Sequence, residues 1–224
     1  MRPSPEQPEP GDFDLPGVAP SRQKRSRETT LALLRAGAGM LRTRSLAELS
    51  IEALCTEVGA TVGAFYSRFE SKEAYFNALM ALAARDGEQR LGEIRRPSPE
   101  VSLDKLCTII VNGLIGWMRN HEGVLRAALQ HDDTRPDTWS PFKELAKVTT
   151  ERATPLLLPA MGKGRKAAKT RTIAFGFQVV LGTLVNAILN DPGPLALSSK
   201  EMEARLAGCL LLLLRAEADH PTPR

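Results

Sequence analysis

Residues 50–72, SIEALCTEVGATVGAFYSRFESK, constrain the fold more tightly than any other stretch of the chain. Ile51, Leu54, Cys55 and Val58 recur at i, i+3, i+4 and i+7, the apolar stripe of a short helix. Ser50 stands where an N-cap oxygen satisfies the first unbonded amides, and Gly59 ends the stripe. Thr61 then caps a second short helix running to about Ser67, with Phe65 and Phe69 turned inward, and Ser71 caps a longer one. Two short helices around a glycine, the second opening on small residues, are what a helix-turn-helix requires. The small side chains let that helix sink into a DNA major groove, which is about 12 Å wide. Tyr66 and Lys72 flank it with a hydroxyl and a point charge suited to phosphates.

Helical periodicity continues on both sides. Leu31, Leu34, Ala38 and Leu41 share one face of a helix before the motif. Phe76, Leu79, Leu82 and Ala83 share one after it, closed by Pro97 and Pro99. Leu103, Leu106, Cys107, Ile110, Leu114, Trp117 and Met118 mark a central helix, with Ile109 and Ile115 off the stripe, followed by a separate short helix around Val124–Gln130. A further helix starts near Phe142 and is kinked or ended by Pro155 and Pro159. A very apolar helix covers Ile173–Leu189 and stops at Asp191-Pro192-Gly193-Pro194. Ser198 or Ser199 caps the last, which carries Met202, Leu206 and Cys209 to Leu214. The expectation is an all-α chain of about nine helices. Aromatics at 5% and the dominance of Leu and Ala agree with it.

The expected organisation is a Pro-rich, acidic, disordered tail (1–20), a DNA-binding head (21–72), a helical body (73–217) and a short C-terminal tail (218–224). Residues 1–20 hold six prolines and no apolar core of a signal peptide. Thr172–Leu189 is interrupted by Gln178 and Asn186 and reads as a buried helix, not a membrane span. Cys55, Cys107 and Cys209 are an odd, dispersed set without CxxC, which fits a reducing cytoplasm and packed thiols. His121, His131 and His220 show no HxxxH or HExxH spacing, and no phosphate-binding or nucleophile-elbow motif is present. Asp132-Asp133 beside His131 reads as a polar turn. No enzyme activity, metal or cofactor is therefore expected.

Charge is placed where DNA would be met. Net charge is +4, and residues 21–72 alone hold nine basic against five acidic side chains. Arg22, Lys24, Arg25 and Arg27 precede the first helix, where an arm can track the DNA backbone or minor groove. A second run, Lys163–Lys169, reads as a solvated loop. In the body, Trp117, Met118, His121, Trp139 and Phe142 are the main store of rings and polarisable groups outside the motif, the material of a small-molecule pocket or of ordinary core.

The run Gly59-Ala60-Thr61-Val62-Gly63-Ala64-Phe65-Tyr66-Ser67-Arg68-Phe69, followed by Ser71-Lys72-Glu73, resembles the signature of the TetR family of bacterial repressors, over Arg27–Phe76. Ala60 stands where that signature has valine and Ala64 where it has threonine. Arg42-Thr43-Arg44 occupies a turn where glycine is common. The resemblance implies that Thr61, Val62, Gly63, Ala64, Ser67 and Arg68 form the exposed face of a recognition helix. It places Ser50, Tyr66 and Lys72 at phosphates. Of these, Arg68 can make a bidentate contact with guanine, and Arg25 and Arg27 complete the expected DNA surface. The body is then a ligand-binding and dimerisation domain whose last two long helices pair across a two-fold axis. Phe177, Leu181, Leu184, Leu206 and Leu210 are the expected interface, with Gly176 and Gly182 allowing close approach. The function implied is a homodimeric repressor on a pseudo-palindromic operator, released by a small hydrophobic ligand. A ligand-independent architectural DNA-binding protein with the same head is the alternative.

Overall fold

The computed structural model describes residues 15, 18, 19, 24–93, 101–130, 140–191 and 193–219, and among these the chain is all-helical. Eight α-helices follow in order, α1 (Lys24–Met40), α2 (Ile51–Val58), α3 (Val62–Tyr66), α4 (Lys72–Glu93), α5 (Leu103–Gln130), α6 (Ser140–Leu157), α7 (Lys166–Asn190) and α8 (Lys200–Asp219). A short 3-10 helix at Leu158–Met161 follows α6. The chain packs as two units, residues 1–83 and 84–224. The division lies beyond Lys72 because the first turns of α4 give Tyr75, Phe76, Leu79 and Met80 to the core of the N-terminal unit.

Local chemistry sets each boundary in that unit. The Ser50 hydroxyl accepts from the Ala53 amide at 3.2 Å, that of Thr61 from Ala64 at 3.0 Å and that of Ser71 from Ala74 at 3.1 Å. Gly59 closes α2 at φ 67°, left-handed backbone that a Cβ would strain. Phe65, Phe69 and Tyr75 pack with ring centroids 4.9–5.2 Å apart, tilted or edge-on. The Tyr75 hydroxyl donates to the Leu33 carbonyl at 2.7 Å, and burial pushes the phenol pKa up, so it stays a donor. It occupies the space beside Gly37 on α1, where a Cβ would overlap it. Neither Tyr75 nor its glycine is legible as a pair in the apolar stripes.

Of the stretch expected to be an unstructured tail, residues 15, 18 and 19 are described, and they meet the N-terminal unit. Leu15 is buried, the Ala19 amide donates to the Arg68 carbonyl at 2.8 Å, and Val18 forms an antiparallel bridge with Phe69. Past the end of α3 the backbone has groups to share, and Leu15 and Val18 bring apolar area to cover. Lys24, Arg25 and Arg27 lie within the first turn of α1 and do not form an extended arm.

In the C-terminal unit α5, α7 and α8 pack on one another, with α6 against α7. The separate helix expected at Val124–Gln130 is the end of α5, which runs unbroken for 28 residues. No proline lies between Met118 and Val124, and Gly123 is buried in the helix, so nothing there interrupts the hydrogen-bond ladder. Pro155 sits inside α6, two residues before that helix gives way to the 3-10 turn. Ser199 caps α8, accepting from the Glu201 and Met202 amides at 3.1 and 3.4 Å. Lys169, expected in a solvated loop, is buried on α7 and donates to the Gly162 carbonyl, its apolar stem packed inward. The α7 helix is long and apolar enough to cross a membrane by composition. Its Ile173, Phe177, Val180 and Leu184 side chains are buried within this unit. Burial also pushes the Cys107 thiol up to about 11.

Residues 1–14, 16–17, 20–23 and 220–224 and three intervening expectations (Pro97 and Pro99, the 131–133 turn, and Trp139) lie outside the described residues.

Candidate nucleic-acid interface and ligand cavity

The N-terminal unit presents α3 on a built support. Thr61 fixes its start, Phe65 and Phe69 anchor its inner side, and the outer side is left free of core duty. Thr61, Val62, Gly63, Tyr66 and Ser67 are exposed, Tyr66 by 53% with its ring edge-on to Phe65. Ala64, Arg68, Ser50, Lys72 and Arg27 are half-buried, and Arg25 is exposed. A Cβ at Gly63 would meet only Thr61, at 3.9 Å, so the face stays shallow enough to approach base edges.

Several of these side chains also hold the unit together. The Ser50 hydroxyl caps α2 and donates to the Glu52 carboxylate at 2.8 Å. The backbone amide of Glu52 and that hydroxyl hold this carboxyl below its usual range. The Lys72 ammonium donates to the Ala47 carbonyl at 3.2 Å. The Arg68 guanidinium donates to the Ala64 carbonyl and to the Ser67 hydroxyl at 3.2 Å, and reaches Ser26 on α1 at 3.3–3.4 Å. Arg68 thus ties α3 to α1. Arg25, Thr29, Gly59, Thr61, Ala64 and Arg68 line one concavity of about 600 Å³ between α1 and the α2–α3 turn. Arg25, placed by sequence reasoning on a leading arm, therefore stands beside the recognition helix. Ser26 and the pair Ser45–Glu48 were not foreseen. The Ser45 amide and hydroxyl both donate to Glu48 at 2.9 Å, and the Ser-x-x-Glu spacing is the signal that could have found them.

An exposed short helix, set by a glycine turn against a neighbour and flanked by cations, is a helix-turn-helix, and the unit is of the class that binds duplex DNA. Residues 33–79 match the sequence model of bacterial regulatory proteins of the tetR family. No curated protein matches the chain. Its fold is similar to a tetR-family transcriptional regulator of Streptomyces coelicolor (TM-score 0.60, 15% identity, 85% of this chain and 82% of that one). It is also similar to a transcriptional regulator of Cytophaga hutchinsonii (0.61, 13%, 88% and 98%). GusR of Salmonella enterica is a third likeness (0.55, 16%, 87% and 100%). Residues 33–79 thus match the DNA-binding helix-turn-helix segment of the tetR family, and the fold of the chain is similar to that of the solved regulators.

The C-terminal unit holds a cavity of about 1030 Å³. Trp117, Met118 and Phe142 are buried and line it, with Trp117 and Phe142 ring centroids 6.1 Å apart. His121 does not line it. Its ring lies 5.3 Å from that of Trp117 and its Nε2 is 2.8 Å from Asp86 Oδ2. Gly87 lets α4 approach, since a Cβ there would lie 2.7 Å from Leu145 and 3.1 Å from Trp117. Sequence reasoning missed this wall, along with Thr149, Arg152, Gln178 and Gly182. Among the described residues no cluster of His, Cys, Asp or Glu is placed to hold a metal ion.

Of the five residues expected at a self-association face, Phe177, Leu184, Leu206 and Leu210 are buried inside this unit, and Leu181 lines the cavity. Gly176 serves the same interior, where a Cβ would meet Leu210 at 2.6 Å. Periodicity reports that a stripe is apolar, not which neighbour covers it. The large apolar side chains that α7 and α8 leave exposed are Phe175 and Leu212.

Proposed function

We propose that the protein is a homodimeric transcriptional repressor in the bacterial cytoplasm. In this reading it occupies a pseudo-palindromic operator and leaves it when a small hydrophobic ligand fills the body cavity. The observation that carries the DNA reading is the α3 face, where Thr61, Val62, Gly63, Tyr66 and Ser67 are exposed beside Arg25 and Arg68. Arg68 reads a base pair, Val62 offers an apolar contact to a thymine methyl, and Ser50, Tyr66, Lys72, Arg25 and Arg27 meet the backbone. Two copies related by a two-fold present two such helices to half-sites about 34 Å apart. The exposed faces of α7 and α8, with Phe175 and Leu212, are the surface we assign to that pairing.

The ligand acts by population shift. A molecule that prefers the head spacing unsuited to the operator lowers DNA affinity, and operator lowers ligand affinity by the same factor. In this reading the body binds its ligand without transforming it. A gel-shift titration tests the DNA assignment. Lys72→Ala is expected to weaken all sequences about equally, and Arg68→Ala to lose about 1–3 kcal/mol of discrimination at one or two base pairs. Unchanged operator affinity in both variants overturns the assignment.

A further inference from the structure

We propose that the body cavity selects amphipathic anions, molecules with an apolar tail and one carboxylate or similar acidic head. This rests on the cavity being a ligand site and adds the chemical class that the site takes. The interior is apolar, walled by the buried Ile110, Met118, Leu125, Phe142 and Leu145, and holds no buried ionisable group to meet a charged tail. Its volume of about 1030 Å³ is at the upper end of what drug-sized ligands occupy, room for a long chain or several fused rings.

Charge sits only at its edge, and it is unbalanced. Arg90, Lys143, Arg152 and Glu151 are the charged residues lining the cavity, and all four are exposed. Three are cationic. Arg90 comes from α4 and Arg152 from α6. The Arg152 guanidinium extends toward the end of α4, its Nη1 lying 3.6 Å from where a Cβ on Gly92 would stand. Arg90 is paired with Asp86 at 2.9 Å, but among the described residues neither Lys143 nor Arg152 has an ion-pair partner. Cations at the mouth of a low-dielectric groove attract an anionic head, and the geometry of guanidinium favours a carboxylate. A cationic amphiphile of the same tail meets like charge there. A neutral one gains only the burial of its tail.

Decanoate, decanol and decylammonium, each below its micellar concentration, separate these terms in calorimetric titrations of the full-length protein. Decanoate is expected to bind at least about tenfold more tightly than decanol, with the margin shrinking as salt rises from 0.05 to about 0.5 M, and decylammonium more weakly than either. Arg152→Gln, alone and with Arg90→Gln, is expected to bring decanoate down toward decanol while leaving decanol affinity within about twofold. Both residues are exposed, and circular dichroism verifies that the variants fold. Equal binding of all three amphiphiles, or a decanoate preference that survives the double variant, overturns the anion selectivity and leaves the cavity a ligand site. Absence of binding by all three, with no thermal shift, overturns the ligand-site reading as well.

Discussion

The two units of this chain solve opposite problems with the same element. In the N-terminal unit helices of eight and five residues are too short to be stable alone, and hold only because caps fix their ends and rings fix their inner side. Its core is closed around Phe65, Phe69 and Tyr75, which are fully buried. In the C-terminal unit helices of 28, 18 and 25 residues, with the end of α4, surround about 1030 Å³ of unfilled space. Dense packing lends the first unit one shape, as a surface that must match a groove requires. The walls of a hollow forgo contacts that a ligand could restore, which is what the proposed ligand response requires.

Truncation exposes that difference most strongly. Phe65→Ala is expected to cost about 3–5 kcal/mol, as for other large-to-small changes in closed cores. Both tryptophans lie beyond residue 83, so thermal unfolding followed by circular dichroism should show the loss while tryptophan fluorescence keeps its wild-type midpoint. Leu114→Ala, half-buried at the cavity, is expected to cost less than the ~2–5 kcal/mol of a buried leucine. Equal losses in the two variants would erase the contrast.

A pair of glycines sharpens it with a change of sign. Gly37→Ala drives a methyl into the Tyr75 hydroxyl, whose ring is held by Phe65 and Phe69, and is expected to destabilise by about 1–3 kcal/mol despite the gain in helix propensity. Gly113→Ala, in α5 with nothing within 4 Å, keeps the propensity gain alone and is expected to stabilise by about 0.5–1 kcal/mol. Chemical denaturation of both variants reads the sign directly. The smallest expected effect is local to the reading helix. Thr61→Ala removes the α3 cap and is expected to cost about 1 kcal/mol, measured as a shift of the denaturation midpoint.

The same contrast explains what could be read from residues alone. The head's turns carry their own chemistry, so Ser50, Gly59, Thr61 and Ser71 mark its helix ends without reference to the rest of the chain. Where tertiary contact decides, the reading stops short. Tyr75 is paired with Gly37, 38 positions away, and Arg68 with Ser26 across a similar separation. Neither spacing has a local signature. Leu15 and Val18 dock from a stretch whose composition reads as unfolded. In the body, apolar stripes located the long helices but not their partners, so Phe177, Leu184, Leu206 and Leu210 belong to the interior of one chain. The rings Trp117 and Phe142 were visible as pocket material, while the Gly87 wall and the cationic edge depend on which helices meet.

Selection of bound duplexes from a random pool, followed by footprinting of the winners, tests the central claim most directly. The account predicts enrichment of two inverted half-sites about one helical turn apart, a discrete footprint, and steep loss of affinity with salt. Enrichment should lose its preference at one base pair per half-site in Arg68→Ala. Uniform coating without an enriched motif, or a motif unchanged by that substitution, would contradict it.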